Sequence, residues 1–292
     1  MPTYENCYEI LKDVRAGINE SGTNDDYLQA TDTTCPHSND WLVKCINRAQ
    51  RYIYGLLVRR IPEAFLEEED ITGSSSVFTL PWDFGRLRYF KDDKGRQIHP
   101  IIQEDRRFAN EAGSQYRYYR KGNTLIVDKA GISDDYTLVY WRKPRDLHQG
   151  KASAGAATSI TLQSTAKLLA DYYNGMIMEN ITAAWVDTID DYSAALVATI
   201  SETGTADDYY GIVSDIPEMF HSLIAGKAVH IAKADSPVIQ EKPSPGSVAQ
   251  WNEELVDALR SFAGNSLDRD PEDLFLDYNN FANNVGVIIT DA

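Results

Sequence analysis

Residues 209–221 read Tyr209-Tyr210-Gly211-Ile212-Val213-Ser214-Asp215-Ile216-Pro217-Glu218-Met219-Phe220-His221, and within them the period of the apolar pattern changes. Tyr209 to Val213 is short and rich in aromatic and β-branched side chains, the composition of a strand. From Ile216 onward the apolar residues Ile216, Met219, Phe220, Leu223, Ile224, Ala228 and Ile231 recur at helical spacing. Asp215 is placed to cap that helix, and Pro217 falls near its first turn, where a missing N–H costs nothing. A strand-built region therefore ends here and a helical one begins.

Toward the N-terminus from this point, 159–162, 176–181, 185–189 and 196–200 are further short strand candidates. Turn signals separate them at even spacing, which predicts a small all-β module. Residues 166–170 are compatible with one helical turn instead. Residues 151–158, Lys-Ala-Ser-Ala-Gly-Ala-Ala-Thr, have the composition of a flexible linker into that module. Toward the C-terminus, Pro237, Pro243 and Pro245 break the helix. A last helix follows over 247–263 on Trp251, Leu255, Leu259 and Phe262, and Gly264 ends it.

The first 150 residues show both periods. Helical spacing covers 4–18 through Cys7, Tyr8, Leu11, Val14 and Ile18. It returns from Trp41 to about Arg60, roughly 30 Å at 1.5 Å per residue, with Asn39 or Asp40 as cap and Pro62 as stop. Between them 22–36 reads as a polar loop. Residues 67–76 read as an acidic, then serine-rich, connector. Val77 to Leu80 is a short strand, Asp92-Asp93-Lys94-Gly95 a turn with Gly95 suited to positive φ, and 98–102 an extended segment. Residues 104–112 are a short helix at best. Residues 116–119 and 124–127 form a hairpin across Lys121-Gly122-Asn123, and 136–141 is the strongest strand of the chain. The expected fold class is α+β: a helical-bundle domain with short strands and an inserted small all-β module. Its parts would be 1–150 and 215–264 as two halves of the helical domain, 151–214 as the insertion, and 265–292 as a C-terminal arm.

Composition narrows the function. The chain has 292 residues, 28 Lys and Arg against 44 Asp and Glu, and a formal net charge of −16. Such a surface repels phosphate backbones. The basic residues do cluster in the first half, at Arg59, Arg60, Arg86, Arg88, Arg106, Arg107, Arg117, Arg120 and Lys121, and could line one face. No apolar run approaches the ~18 residues of a membrane span, and the polar start with Glu5 and Glu9 does not read as a signal peptide. Cys7, Cys35 and Cys45 give no disulfide framework. Cys7 and Cys45 sit on helical stripes as small core residues. The five histidines are scattered and no Cys-x-x-Cys occurs, so no zinc site is expected.

Motifs for phosphate cradles, nucleotide binding or serine hydrolysis are missing from the sequence. The run Glu67-Glu68-Glu69-Asp70 is the sole support for a cell-wall glycosidase, whose paired carboxylates must face each other across a cleft. Asp-Asp-Tyr recurs at Asp25, Asp134, Asp190 and Asp207. It is better explained as turn followed by strand than as a calcium or acid–base site. His221 reads as a half-buried or interface histidine. Tyr172, Tyr173, Trp185 and Tyr192 could make a sugar-stacking platform, though strand packing explains them more simply. No residue is assigned a catalytic, cofactor-binding or metal-binding role. The C-terminal arm is acidic at first but carries Leu274, Phe275, Leu276, Tyr278, Phe281, Val285, Val287, Ile288 and Ile289. A disordered tail is poor in such residues, so these are candidates for contact with a partner or with the chain's own body.

Two stretches carry a family resemblance. From Trp41 a helix leads to Ile61-Pro62-Glu63-Ala64-Phe65, an acidic connector and Phe78-Thr79-Leu80-Pro81-Trp82-Asp83-Phe84. This order resembles head-to-tail adaptor (connector) proteins of tailed phages. Ser159-Ile160-Thr161-Leu162, Asp171-Tyr172-Tyr173-Asn174-Gly175, Ile189-Asp190-Asp191-Tyr192 and Asp207-Asp208-Tyr209-Tyr210-Gly211-Ile212 resemble a small β-domain recurrent in phage structural proteins. Ile216-Pro217-Glu218-Met219-Phe220-His221 resembles the helix that follows it. The glycine-rich turn often found before the module's central strand is replaced here by residues 179–184. The resemblance implies a non-enzymatic virion structural protein at the head–tail junction, assembled in the host cytoplasm. It would be a homo-oligomeric ring, typically a dodecamer, docked on the portal protein, extending the channel through which DNA passes transiently and offering a platform to a downstream tail protein. Another tail or baseplate component is the alternative. The candidate portal or neighbour-subunit interface is the set of apolar arm residues, and no cofactor or membrane is implied.

Overall fold

The computed structural model describes residues 5–20, 37–60, 62–72, 76–92, 94–101, 117–127, 135–237, 239 and 241–263. The chain forms two compact units, Met1–Ile53 with Leu147–Ala292, and Tyr54–Asp146. Among the described residues four α-helices accompany fifteen strands in four sheets. The expected helical bundle is thereby corrected: the fold is mostly sheet. The helical stripes do form helices, but segments taken for connectors are strands. The acidic connector is strand β1, Leu66–Thr72, and the small-residue linker contains β9, Ala154–Ala156. Both lie at sheet edges, where one or both faces meet water and the apolar alternation of a buried strand is absent.

The unit Tyr54–Asp146 begins with the last turns of a helix ending at Arg60, then a 3-10 turn, Pro62–Phe65. Its strands are β1, β2 (Val77–Thr79), β3 (Phe84–Lys91), β4 (His99–Pro100), β5 (Arg117–Lys121), β6 (Thr124–Val127) and β7 (Asp135–Arg142). One sheet has the order β1-β7-β3, all antiparallel. The other has the order β2-β6-β5-β4, parallel only between β4 and β5. Ile71, Phe84, Phe90, Tyr136, Leu138 and Tyr140 from the first sheet share one core with Phe78, Leu125 and Val127 from the second. Tyr136 is central, with Phe78 edge-on at 4.7 Å and Phe90 stacked at 5.1 Å. Such aromatic pairs add to the burial of their area. The expected turn at Asp92 forms, with Asp92 Oδ1 accepting from Lys94 and Arg96 N–H and Gly95 at φ +74°. The expected helix 104–112 and the loop 22–36 lie outside the described residues.

The other unit holds α1 (Cys7–Gly17), the start of α2 (Asn39–Arg60), α3 (His221–Asp235), α4 (Pro245–Ala263) and eight strands. Asn6, and no residue of the helical stripe, caps α1: its Oδ1 accepts from Tyr8 and Glu9 N–H at 2.8 and 3.1 Å. At the other end Asn19 takes a left-handed φ of +61°, and Glu20 N–H returns to the Arg15 carbonyl at 2.9 Å. Helix α2 starts at Asn39, and the hydroxyl of Ser38 accepts from Trp41 N–H at 3.3 Å, so the cap stands one residue before the two expected. His221 opens α3 after a 3-10 turn, Glu218–Phe220, that absorbs Pro217.

The strands are β8 (Gln149–Lys151), β9, β10 (Ser159–Thr161), β11 (Ile177–Asn180), β12 (Trp185–Thr188), β13 (Asp191–Tyr192), β14 (Val197–Thr199) and β15 (Tyr209–Ile212). They form two four-stranded sheets, β13-β14-β10-β9 and β12-β11-β15-β8. Gly155 in β9 is required: a Cβ there would lie 2.3 Å from the Gly204 carbonyl. The turn after β11 manages without glycine. Asn180 Oδ1 accepts from Ala183 N–H at 2.8 Å, and Ala184 takes φ +56°. Helix α1 lies against α3 and β15, and Trp251 of α4 donates its indole N–H to the Leu223 carbonyl of α3 at 2.9 Å.

Candidate functional site

The residues singled out for chemistry do not converge. On β1 each member of the acidic run is engaged across the sheet. Glu67 pairs with Arg142 at 2.9 Å and Glu68 with Lys91 at 3.8 Å. Glu69 accepts from the Tyr140 hydroxyl at 3.3 Å, and Asp70 from the Thr137 hydroxyl at 2.9 Å. Burial and the nearby carboxylates raise Glu69 above the usual carboxylate range despite the Tyr140 bond. Successive residues of a strand point to opposite faces, so Glu67 and Glu69 share one face and Glu68 and Asp70 the other, side by side along one strand and not opposed across a cleft.

The sugar-stacking platform also dissolves. Tyr172, Tyr173 and Tyr192 are buried and meet edge-on, at 4.9 and 4.8 Å between neighbouring rings. Trp185 donates its indole N–H to the Thr203 carbonyl. His221 is buried with Nε2 bonded to the Ile216 carbonyl at 2.7 Å, and burial lowers its affinity for a proton. Of the Asp-Asp-Tyr repeats, Asp190 and Asp207 each lead into a strand, β13 and β15. Asp25 and Asp134 lie outside the described residues. Cys7 and Cys45 are buried, and burial raises both thiols, Cys45 to about 11. Among the described residues no group of three His, Cys, Asp or Glu is placed to hold a metal ion, and no helix is long and apolar enough to cross a membrane.

What the described surface offers is contact. The turn Leu80-Pro81-Trp82-Asp83-Phe84 joins β2 to β3. Phe84 N–H returns to the Pro81 carbonyl at 3.1 Å, and Asp83 accepts from the Tyr140 hydroxyl at 2.9 Å. Leu80 and Phe84 are buried by this turn, while Trp82 stays exposed. On β3, Arg86 and Arg88 both lie over the Trp141 ring, at 5.5 and 5.4 Å, and Arg88 also pairs with Glu63 at 3.3 Å. Cation–π contact of this kind holds the guanidinium groups in place. In the other unit the turn around Asp171-Tyr172-Tyr173-Asn174-Gly175 is preceded by Leu168, 71% exposed, and Leu169, 41% exposed. That pair carried no signal in a reading based on period, since it belongs to neither a strand nor a helix.

The clustered basic residues have a counterpart in charge distribution. Tyr54–Asp146 carries 16 Lys and Arg against 15 Asp and Glu, whereas the rest of the chain carries 12 against 29. All of the excess acid therefore belongs to the unit Met1–Ile53 with Leu147–Ala292. The apolar arm residues Leu274, Phe275, Leu276, Tyr278, Phe281, Val285, Val287, Ile288 and Ile289 lie outside the described residues, as do Arg106 and Arg107.

Residues 6–177 match the sequence model of a family described as SU10 adaptor protein. That span holds the turn at Trp82, the Arg86–Trp141–Arg88 stack and the exposed Leu168-Leu169 pair. No curated protein matches the chain.

Proposed function

The chain belongs to the SU10 adaptor protein family, a family of phage adaptors, and from that premise we propose that it is a head-to-tail adaptor of the virion. Copies form a ring, twelve by family resemblance, beneath the portal protein. The ring lengthens the channel that DNA crosses and presents a platform for the next tail protein. The role is structural and not catalytic, and its place is the head–tail junction. The family match over residues 6–177 carries this reading.

Three features support it. A ring requires a heterologous interface, with different patches on the two sides of each subunit. The exposed Trp82 and the Leu168-Leu169 pair are apolar groups of the sort such patches use. The net acidity of −16 suits a channel in which DNA slides without sticking. The apolar residues from Leu274 to Ile289 make 265–292 the arm that docks on portal or on a neighbouring subunit, at an ordering cost offset by buried apolar surface.

Electron microscopy of the full-length chain, alone and mixed with portal rings, tests the reading. Rings, or a collar added to the portal, are expected. A chain that stays monomeric and never decorates portal rings would overturn it. Removing 265–292 should leave the thermal unfolding transition of the rest in place and weaken portal binding by about tenfold or more, as the loss of interface anchors does. Full binding by the shortened chain would take the arm out of the account.

A further inference from the structure

We propose that Glu20, His37 and Ser236 form a latch through which three helix ends open as one unit. Glu20 follows the C-terminus of α1, His37 precedes the N-terminus of α2, and Ser236 closes the C-terminus of α3. The His37 ring is the pin. Its Nδ1 meets Glu20 Oε1, and its Nε2 lies 2.6 Å from the Ser236 hydroxyl. Arg15, 1% exposed, reaches across from α1: one guanidinium nitrogen donates to Glu20 Oε2 at 3.0 Å, the other to the His37 carbonyl at 3.1 Å and to Asn39 Oδ1. Trp41 covers the ring by stacking at 4.6 Å.

The roles within the cluster follow from what each atom can do. The carboxylate of Glu20 only accepts, so Nδ1 of His37 donates to it, while Nε2 shares a hydrogen bond with the Ser236 hydroxyl. The Ser236 oxygen in turn accepts from Ile239 N–H at 3.2 Å. The sequence hydroxyl, imidazole, carboxylate is also that of a nucleophilic relay. Ser236 is 1% exposed, however, and its oxygen is engaged by the backbone behind it, which leaves no face for a substrate carbonyl. The arrangement is a joint.

Its consequence is coupling between distant parts of the sequence. The chain leaves at Glu20 and returns at His37, so the latch holds both ends of residues 21–36. The connector from α3 to α4 departs from Ser236. Lys242 of that connector donates to the carbonyls of Lys233, Ala234 and Ser236 at 3.0 to 3.2 Å, which fastens it to the same helix end. A pull on the connector is therefore felt at the end of α1. Breaking one buried bond leaves its partners unsatisfied, so loss of any member loosens the others.

Hydrogen exchange on the full-length chain tests this, and coupling between two sites must be reciprocal. Ser236→Ala should speed exchange of the Ile18, Asn19 and Glu20 amides by about tenfold, the effect of one lost buried hydrogen bond. Glu20→Gln should speed the Ser236 amide and the last turn of α3 by a similar factor. The amides of Tyr210 and Ile212 in the module should not change in either variant. Exchange that rises only in the substituted element overturns the latch. If Glu20→Gln does not fold, the response of α1 to Ser236→Ala decides alone.

Discussion

His148 shows how one buried side chain sets a pH dependence. Its Nδ1 lies 3.0 Å from the Tyr210 hydroxyl, its Nε2 lies 3.0 Å from the Thr165 hydroxyl, and Tyr210 accepts from Gln163 N–H at 2.9 Å. Burial without a counter-charge pushes the imidazole down to about 4. The folded chain thus keeps His148 neutral while the unfolded chain takes up a proton near pH 6.5. Stability is full above that pH and falls by roughly 1.4 kcal/mol per unit toward pH 4. His148→Gln should remove this slope. Denaturant titrations of both proteins at pH 7, 5.5 and 4.5 check it, and parallel curves would refute it. None of this was legible in the sequence, because the partners of His148 stand 17 and 62 residues away and meet only in the fold. What was legible at this scale were residues whose role follows from local pattern, such as Cys7 and Cys45 on helical stripes.

Among elements, the helices were the readable part. A helix with one buried face must repeat its apolar residues every three or four positions, and α1, α2, α3 and α4 all do. The short strands of residues 159–212 were readable too, since β10, β11 and β14 alternate across a buried face and β15 is rich in aromatic and β-branched residues. Edge strands β1, β3 and β9 were not, although β2 and β12, also at sheet edges, were. Strand β1 reads Leu-Glu-Glu-Glu-Asp-Ile-Thr and looks like a connector, because its charges are a defence against pairing with another chain. Strand β3, at the opposite edge, uses two register irregularities together with Arg86 and Arg88. The balance of helix and sheet was misjudged because these strands, charged or interrupted by arginines, were passed over. Glu68→Thr with Asp70→Thr should keep the sheet and change stability by no more than about 1 kcal/mol, since surface pairs are weak. The protein should, however, self-associate at a severalfold lower concentration, by roughly the effect of unprotecting an edge. Light scattering over a dilution series measures this, and an unchanged threshold would count against the edge-protection account.

At the scale of the molecule, the unequal charge of the two units and the route of the chain between them belong together. Helix α2 leaves the acidic unit at Ile53, and the chain comes back at Leu147. On the acidic side, Asn47 clasps that return point: its amide donates to the Leu147 carbonyl at 3.0 Å and its Oδ1 accepts from Leu147 N–H at 2.6 Å. On the other side the Tyr54 hydroxyl bonds to the Arg142 carbonyl. Outgoing and incoming strands of chain are thus fastened to each other twice, once in each unit. Replacing residues 54–146 by a short glycine–serine bridge should leave the remainder with its own cooperative melting transition, measurable by circular dichroism. A remainder that never folds would contradict this. The double clasp sets the outgoing and returning chain side by side, so residues 54–146 form a detour whose entrance and exit share one doorway.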